Sequence, residues 1–214
     1  MPRKTRNNKF TLIEILVVLA IAGILLSVSM AGLSRMIGRQ GAEGAVRSLS
    51  SQLALARSYA VVKNTYVAVL LPDNTCISTY NTPLLQSYLF SKVRLCAVKS
   101  VTGMTAQFDS WIDGNEWQSL PSETCASIDV SAAAQVQGLK IETTTGLSSP
   151  AVIFKPSGTI VGDGTNPACI SVIMGKYISG ATPVYETKSG AKNGWDIKMN
   201  PFTGKSSYEK KTND

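Results

Sequence analysis

The chain has 214 residues, with 21 Lys+Arg against 14 Asp+Glu, a formal net charge of +7 and a pI of about 9.3. It has no histidine, which excludes Ser-His-Asp and Cys-His catalysis and every His-ligated metal site. With 16% charged and 44% hydrophobic residues the chain can build a real core, and the basic balance points first to nucleic acid or an acidic membrane surface.

Residues 1–9 carry Arg3, Lys4, Arg6 and Lys9 and no acid. From Ile15 to Ser34 no residue is charged. A helix of about 20 residues rises roughly 30 Å, enough to span a hydrocarbon core. A secretory signal would have a shorter apolar region and a small-residue cleavage site, so the expectation is a retained membrane helix. The basic flank places its N-terminus in the cytoplasm. Glu14 interrupts the apolar start. Two roles fit it: an acid at headgroup level, or one that pairs with a cation when chains assemble.

The run Lys9-Phe10-Thr11-Leu12-Ile13-Glu14-Ile15-Leu16-Val17-Val18-Leu19-Ala20-Ile21 resembles the processing and assembly motif of type IV pilins and type II secretion pseudopilins. The resemblance implies a leader cut between Lys9 and Phe10 by a prepilin peptidase, which also methylates the new Phe10 amine. It implies a filament built through the apolar helix with other pilin or pseudopilin subunits. Glu14 then sets the axial register by pairing with a Phe10 amine, since a buried carboxylate needs a partner. The family usually has Gly before the cut, where this chain has Lys9.

Beyond Ser34, Ala42, Ala45, Val46, Leu49, Leu53, Ala56 and Ala60 recur at helical spacing, while Arg39, Glu43 and Arg47 stand four apart. No proline interrupts residues 10–63, and Lys63-Asn64 suits a helix end. Gly32, Gly38, Gly41 and Gly44 weaken its middle by up to ~1 kcal/mol each, which fits either close packing or a segment that bends. The expected organisation is a leader over 1–9, an assembly helix over 10–34, its amphipathic continuation over 35–63 and a β-rich periplasmic domain over 64–214.

From Thr65 the pattern shortens to strands. Those expected are Thr65–Leu71, Cys76–Tyr80 returning after Pro72-Asp73-Asn74, Tyr88–Val98, Ala151–Phe154 with Thr159–Val161, Cys169–Met174, and Trp195–Asn200 with Lys205–Tyr208. The fold class is α+β, a long N-terminal helix followed by an antiparallel sheet domain, pilin-like. Three short stretches are similar to the GspH/FimT group of minor pilins and pseudopilins: Arg57–Asn64 at the helix exit, Ile153–Gly158 and Pro201–Lys205. That resemblance implies a helix carrying two small antiparallel sheets.

Cys76, Cys96, Cys125 and Cys169 contain no C-x-x-C pair, which with the missing histidine argues against zinc. They are candidate disulfide partners in an oxidising compartment, with three connectivities open; Cys76–Cys96 closes the shortest loop. Asp109, Asp113 and Glu116 surround Trp111 and Trp117. They read as a solvated turn between aromatic anchors more readily than as a sugar site. The turn Gly162-Asp163-Gly164 lacks the length and terminal Glu of an EF-hand loop. No catalytic site, metal or cofactor is expected.

Residues 64–187 hold six basic and nine acidic residues, and residues 188–214 hold six basic and three acidic. The second functional reading is therefore a DNA-binding minor pilin using Lys188, Lys192, Lys198, Lys205, Lys210 and Lys211, though no arginine is present there for bidentate phosphate contacts. The charge otherwise sits on the leader and stalk. Intact-mass measurement of membrane-extracted protein is expected to show a chain lacking residues 1–9 and carrying one methyl group. A mass that retains the leader overturns the cleavage.

Overall fold

The computed structural model describes residues 12–77, 87–121, 124–129, 133–141, 144–162, 168–175, 177–178, 184–185 and 194–210. Helix α1 runs Leu12–Lys63, uninterrupted through Gly32, Gly38, Gly41 and Gly44. A Cβ at Gly44 would meet the Pro121 ring at an ordinary 3.7 Å, so close approach does not demand glycine there. The chain divides into two compact units, Met1–Arg39 and Gln40–Asp214. The last turns of α1 thus belong to the head.

In the first unit Glu14 lies in the first helical turn, where its charge complements the helix dipole. Leu12, Ile13, Ile15, Leu16, Val17, Val18, Leu19 and Ile21 are all exposed. Among the described residues no helix is long and apolar enough to cross a membrane.

In the second unit α1 buries the stripe that the spacing predicts: Ala42, Ala45, Val46, Leu49, Leu53, Ala56 and Ala60. Glu43 and Arg47 stay outside and pair at 2.6 Å. The helix ends as Lys63-Asn64 suggests. Asn64 takes a left-handed φ of 51°. Its N–H donates to the Val61 carbonyl at 3.4 Å, and the Thr65 N–H donates to the Ala60 carbonyl at 3.1 Å. This pair of reversed hydrogen bonds satisfies the last carbonyls and turns the chain straight into a strand.

The strands are β1 (Tyr66–Leu70), β2 (Lys92–Thr102), β3 (Thr105–Trp111), β4 (Gln118–Ser119), β5 (Thr124–Ile128), β6 (Ala134–Ile141), β7 (Thr144–Phe154), β8 (Cys169–Met174), β9 (Tyr177–Ile178), β10 (Val184–Tyr185), β11 (Gly194–Met199) and β12 (Ser206–Lys210). The pairings β1–β2, β2–β3, β3–β6, β6–β7 and β7–β1 close a ring of five strands, to which β4 adds at the start of β2. One pairing in it, β3–β6, is parallel, whereas the sequence suggested antiparallel strands alone. A second sheet, in the order β12-β11-β8-β5, is antiparallel throughout, and β9–β10 form a separate pair.

The expected strand Cys76–Tyr80 is not formed where the chain is described. Asn74–Ile77 is a 3-10 helix. Its cause is Asp73, whose carboxylate accepts from the Thr75 N–H at 2.8 Å and the Thr75 hydroxyl at 2.6 Å, holding the chain in a turn. Residues 78–80 lie outside the described residues. The strand expected from Tyr88 begins only at Lys92, after a turn over 87–91. The remaining strand expectations fall on β1, β7, β8, β11 and β12. Thr159–Val161 returns against β7 through a single bridge, Phe154 to Ile160.

The ring is buried on both faces along β1 and the end of β7, whereas β3 and β6 expose their outer side. On β1, Val67 and Val69 join the core under α1, while Ala68 and Leu70 point into the ring. On β7, Val152 and Phe154 face α1, and Ala151 and Ile153 face inward. Small residues, Ala68, Cys96, Ala106, Ala134 and Ala151, leave room inside for Leu139, Ile141 and Ile153. The second sheet delivers Ala126, Ile128, Ile170, Val172, Ile197 and Met199 to the same core as the helix stripe.

Three segments far apart in sequence meet at the helix exit. Arg57 Nε donates to the Gly158 carbonyl at 3.2 Å, and the Ile160 N–H donates to the Pro201 carbonyl at 3.1 Å. Asn200 organises the 201–204 turn by accepting from the Phe202 and Thr203 N–H groups, both at 3.0 Å. Gly204 has φ +65°, and a Cβ there would be built onto the Gly158 carbonyl oxygen. Gly103 has a similar φ of +60° but open space around it. In denaturation of the full chain, Gly103→Ala is expected to cost about 1–2 kcal/mol for the left-handed backbone alone. Gly204→Ala should cost about 2–5 kcal/mol, because strain and overlap add. Equal losses overturn the close contact.

Candidate assembly surfaces

The residues expected to act in processing and assembly lie at the N-terminal end. Lys9 and Phe10 fall outside the described residues. Glu14 is exposed in the first turn, set among exposed aliphatic side chains on every side of the helix. An amphipathic helix hides one face; this segment hides none, so its apolar surface needs other helices or lipid around it.

On the head, the outward side of α1 carries a second strip. Ser51, Ala54, Leu55, Ser58, Val61 and Val62 are exposed, with Leu55 at 49%, Val61 at 50% and Val62 at 75%. Beside the helix exit this strip borders an open groove of about 480 Å³, floored by Arg57 and closed by Gly204, Lys205 and Ser206.

The opposite flank of α1 is held by amides. Gln52 interrupts the apolar stripe and is buried with Asn115. Gln52 Nε2 donates to Gln118 Oε1 at 2.7 Å, Asn115 Nδ2 donates to Gln52 Oε1 at 3.3 Å, and Asn115 Oδ1 accepts from the Leu95 N–H at 2.9 Å. Each buried amide thereby finds a partner that an apolar neighbour would deny it. Arg94 extends the set: its Nε donates to the Asn115 carbonyl at 2.9 Å, its Nη2 lies 3.4 Å from Glu116 and its guanidinium lies 4.1 Å from the Trp111 ring centre. Nothing in the sequence marked Gln52, Arg94 or Asn115, except that Gln52 stands on the apolar stripe.

This geometry also answers the sugar reading of the tryptophans. One face of Trp111 is taken by Arg94, and Trp117 is packed by Tyr88 and Trp111 at 5.2 and 5.7 Å. Asp109 pairs with Lys99 at 3.3 Å. The cluster is an anchor for the 109–118 turn.

Of the lysines proposed for DNA, Lys198, Lys205 and Lys210 fall among the described residues. Lys198 is on the outer face of the second sheet, ion-paired with Glu209, whose carboxylate raises its pKa. Lys205 lies in the hairpin turn at the groove. Lys210 stands opposite Trp195 on the far end of the β11–β12 ladder. Lys188, Lys192 and Lys211 fall outside the described residues.

All four cysteines are thiols. Cys96 faces the ring interior, whereas Cys76 and Cys125 share a small cluster with Leu89 and Phe90. Cys169 begins β8 opposite Lys198. Burial pushes the Cys76 thiol up to about 11 and raises that of Cys96 as well, which favours the protonated form of both. Among the described residues no group of His, Cys, Asp and Glu is placed to hold a metal.

The family model described as Type II transport protein GspH matches residues 45–175. That span runs from the helix stripe through β8. No curated protein matches the chain. Among solved structures, the minor pseudopilin EpsH from the type II secretion system of Vibrio cholerae is 12% identical, with 82% of this chain and 97% of that chain covered and a TM-score of 0.43. The type IV minor pilin FimU of Pseudomonas aeruginosa is 11% identical, with 81% and 90% covered and a TM-score of 0.43. The assignment rests on the family match, which covers more than half of the sequence: the chain belongs to the GspH family of type II transport proteins.

Proposed function

We propose that the chain is a structural minor subunit, a pseudopilin or minor pilin, of a type II secretion pseudopilus or type IV pilus, without catalytic activity. It enters the inner membrane through residues 10–34 with residues 1–9 in the cytoplasm and the head in the periplasm. Prepilin peptidase cuts between Lys9 and Phe10 and methylates the new amine. The subunit then joins its neighbours through the apolar helix.

The observation that carries this reading is the start of α1: eight exposed aliphatic side chains between Leu12 and Ile21, broken only by Glu14. Such a surface favours burial at about 25 cal/mol per Å². A carboxylate buried with it needs a cation, and the Phe10 amine of the same or a neighbouring chain is the nearest in sequence. Glu14 is thereby the register pin. The DNA reading gains no comparable support, since Lys198 is engaged by Glu209.

Glu14→Ala and Glu14→Val are expected to leave the amount of subunit in the membrane unchanged. Breaking a buried pair by removing one partner costs about 3–5 kcal/mol, so incorporation into sheared filaments should fall about a hundredfold or more. Normal incorporation of either variant defeats the register role.

A further inference from the structure

The groove at the helix exit carries positive charge without a counter-charge. Arg57 and Lys205 line it with Ser58, Val61, Val62 and Ser206, and no acid stands in its walls. Elsewhere on the described head, cations are matched: Arg47 by Glu43, Arg94 by Glu116, Lys99 by Asp109 and Lys198 by Glu209. Arg57 is half-buried, and its Nε donates to the Gly158 carbonyl at 3.2 Å. A guanidinium has more donors than this one bond uses, and Arg57 has no ion pair among the described residues.

A half-buried cation has lost part of its hydration, and one neutral carbonyl restores only a fraction of it. The Gly158 contact also holds the guanidinium in place, so an arriving carboxylate meets a planar donor already ordered. Lys205 is exposed and adds a second charge on a flexible stem. Around the two cations the surface is apolar: Val61 is 50% exposed, Val62 75%, and Phe202, in the same turn as Gly204, 74%. The combination suits a carboxylate that has an apolar side chain beside it. A nucleic acid fits less well, because two cations between valine walls offer little to a run of phosphates.

We propose that the groove receives an acidic segment of a neighbouring filament subunit of a different kind. Arg57 takes its carboxylate, Lys205 strengthens the attraction, and Val61, Val62 and Phe202 cover the apolar side chain next to that acid. The contact rests on the minor-subunit reading and adds a head contact to the one made by the apolar helix. A subunit present in few copies has other chains as its neighbours along the filament, so the occupant is not a second copy.

The test places a photocrosslinking amino acid at Val62 or Phe202 of the full chain, in cells that assemble the filament, and maps the adducts by mass spectrometry. The expected adduct joins a different chain that has the same apolar, Glu-punctuated N-terminal helix, within a peptide holding Asp or Glu next to an apolar residue. Lys205 is exposed, so Lys205→Glu spares the fold and should lower the yield about two- to five-fold, the range of exposed ion pairs. Changing the mapped acid of the partner to Lys should restore it. Arg57→Gln should lower the yield about tenfold, the lower end for hydrogen bonds to a charged group. That variant also alters the Gly158 contact, so Lys205→Glu and its reversal decide the charge claim. Adducts only to a second copy, to nucleic acid or to proteins without such a helix overturn the proposal, as does a mapped peptide without an acid or a yield indifferent to Lys205→Glu. Filament incorporation is scored on the same cells. Normal incorporation without the adduct overturns this contact and leaves the assembly reading standing, whereas an unsubstituted chain that never enters filaments overturns both.

Discussion

The head depends on one stripe of α1. From Ala42 to Ala60 the helix is the shared wall of two sheets that hardly pair with each other, and its side chains fill the space between them. Each sheet alone would expose an apolar face: Val67, Val69 and Phe154 on the ring, Ile170, Val172 and Ile197 on the second sheet. Fully burying side chains of this kind is worth about 1.5–3 kcal/mol each, so both sheets are held in place by the helix. The alanines at 42, 45, 56 and 60 matter as much as Leu49 and Leu53, because they let the backbone of α1 approach both sheets.

Polar contacts then fix where the helix sits. Gln52 is anchored to Gln118 and Asn115 on one flank, and Arg57 to the Gly158 carbonyl on the other. Neither contact adds much stability, since net hydrogen-bond contributions are about 1 kcal/mol. Their effect is directional: a rotation of the helix that kept the apolar stripe half buried would still strand two buried amides. The helix exit adds a third constraint, because only two residues, Asn64 and Thr65, separate α1 from β1.

Much of this was legible from residue order. Helical spacing gave the stripe, the Lys63-Asn64 end gave the cap, and the apolar runs near β1, β7, β8 and β11 gave their strands, because each is a local pattern of period, branching and turn chemistry. Cys76–Tyr80 misled for a local reason as well: its residues favour a strand, but Asp73 captures Thr75 first. The parallel β3–β6 pairing and the closure of the ring were not legible, since no local signal says which strands meet at a distance. The candidate disulfide Cys76–Cys96 illustrates the same limit. Proximity in sequence favoured it, and the fold places the two thiols in different clusters.

The sequence by itself determined the apolar, acid-punctuated N-terminus, the amphipathic stalk, the excess of basic residues on leader and stalk, and the absence of histidine chemistry. These follow from composition and short-range spacing, which chain folding does not alter. Tertiary structure decided what the scattered motifs do. It brought Arg57, Gly158 and Gly204 into one corner, occupied the tryptophan faces with Arg94 and Tyr88, and engaged Lys198 with Glu209. Those outcomes depend on which surfaces meet once the two sheets close on α1, and contacts between residues a hundred positions apart are set by that packing.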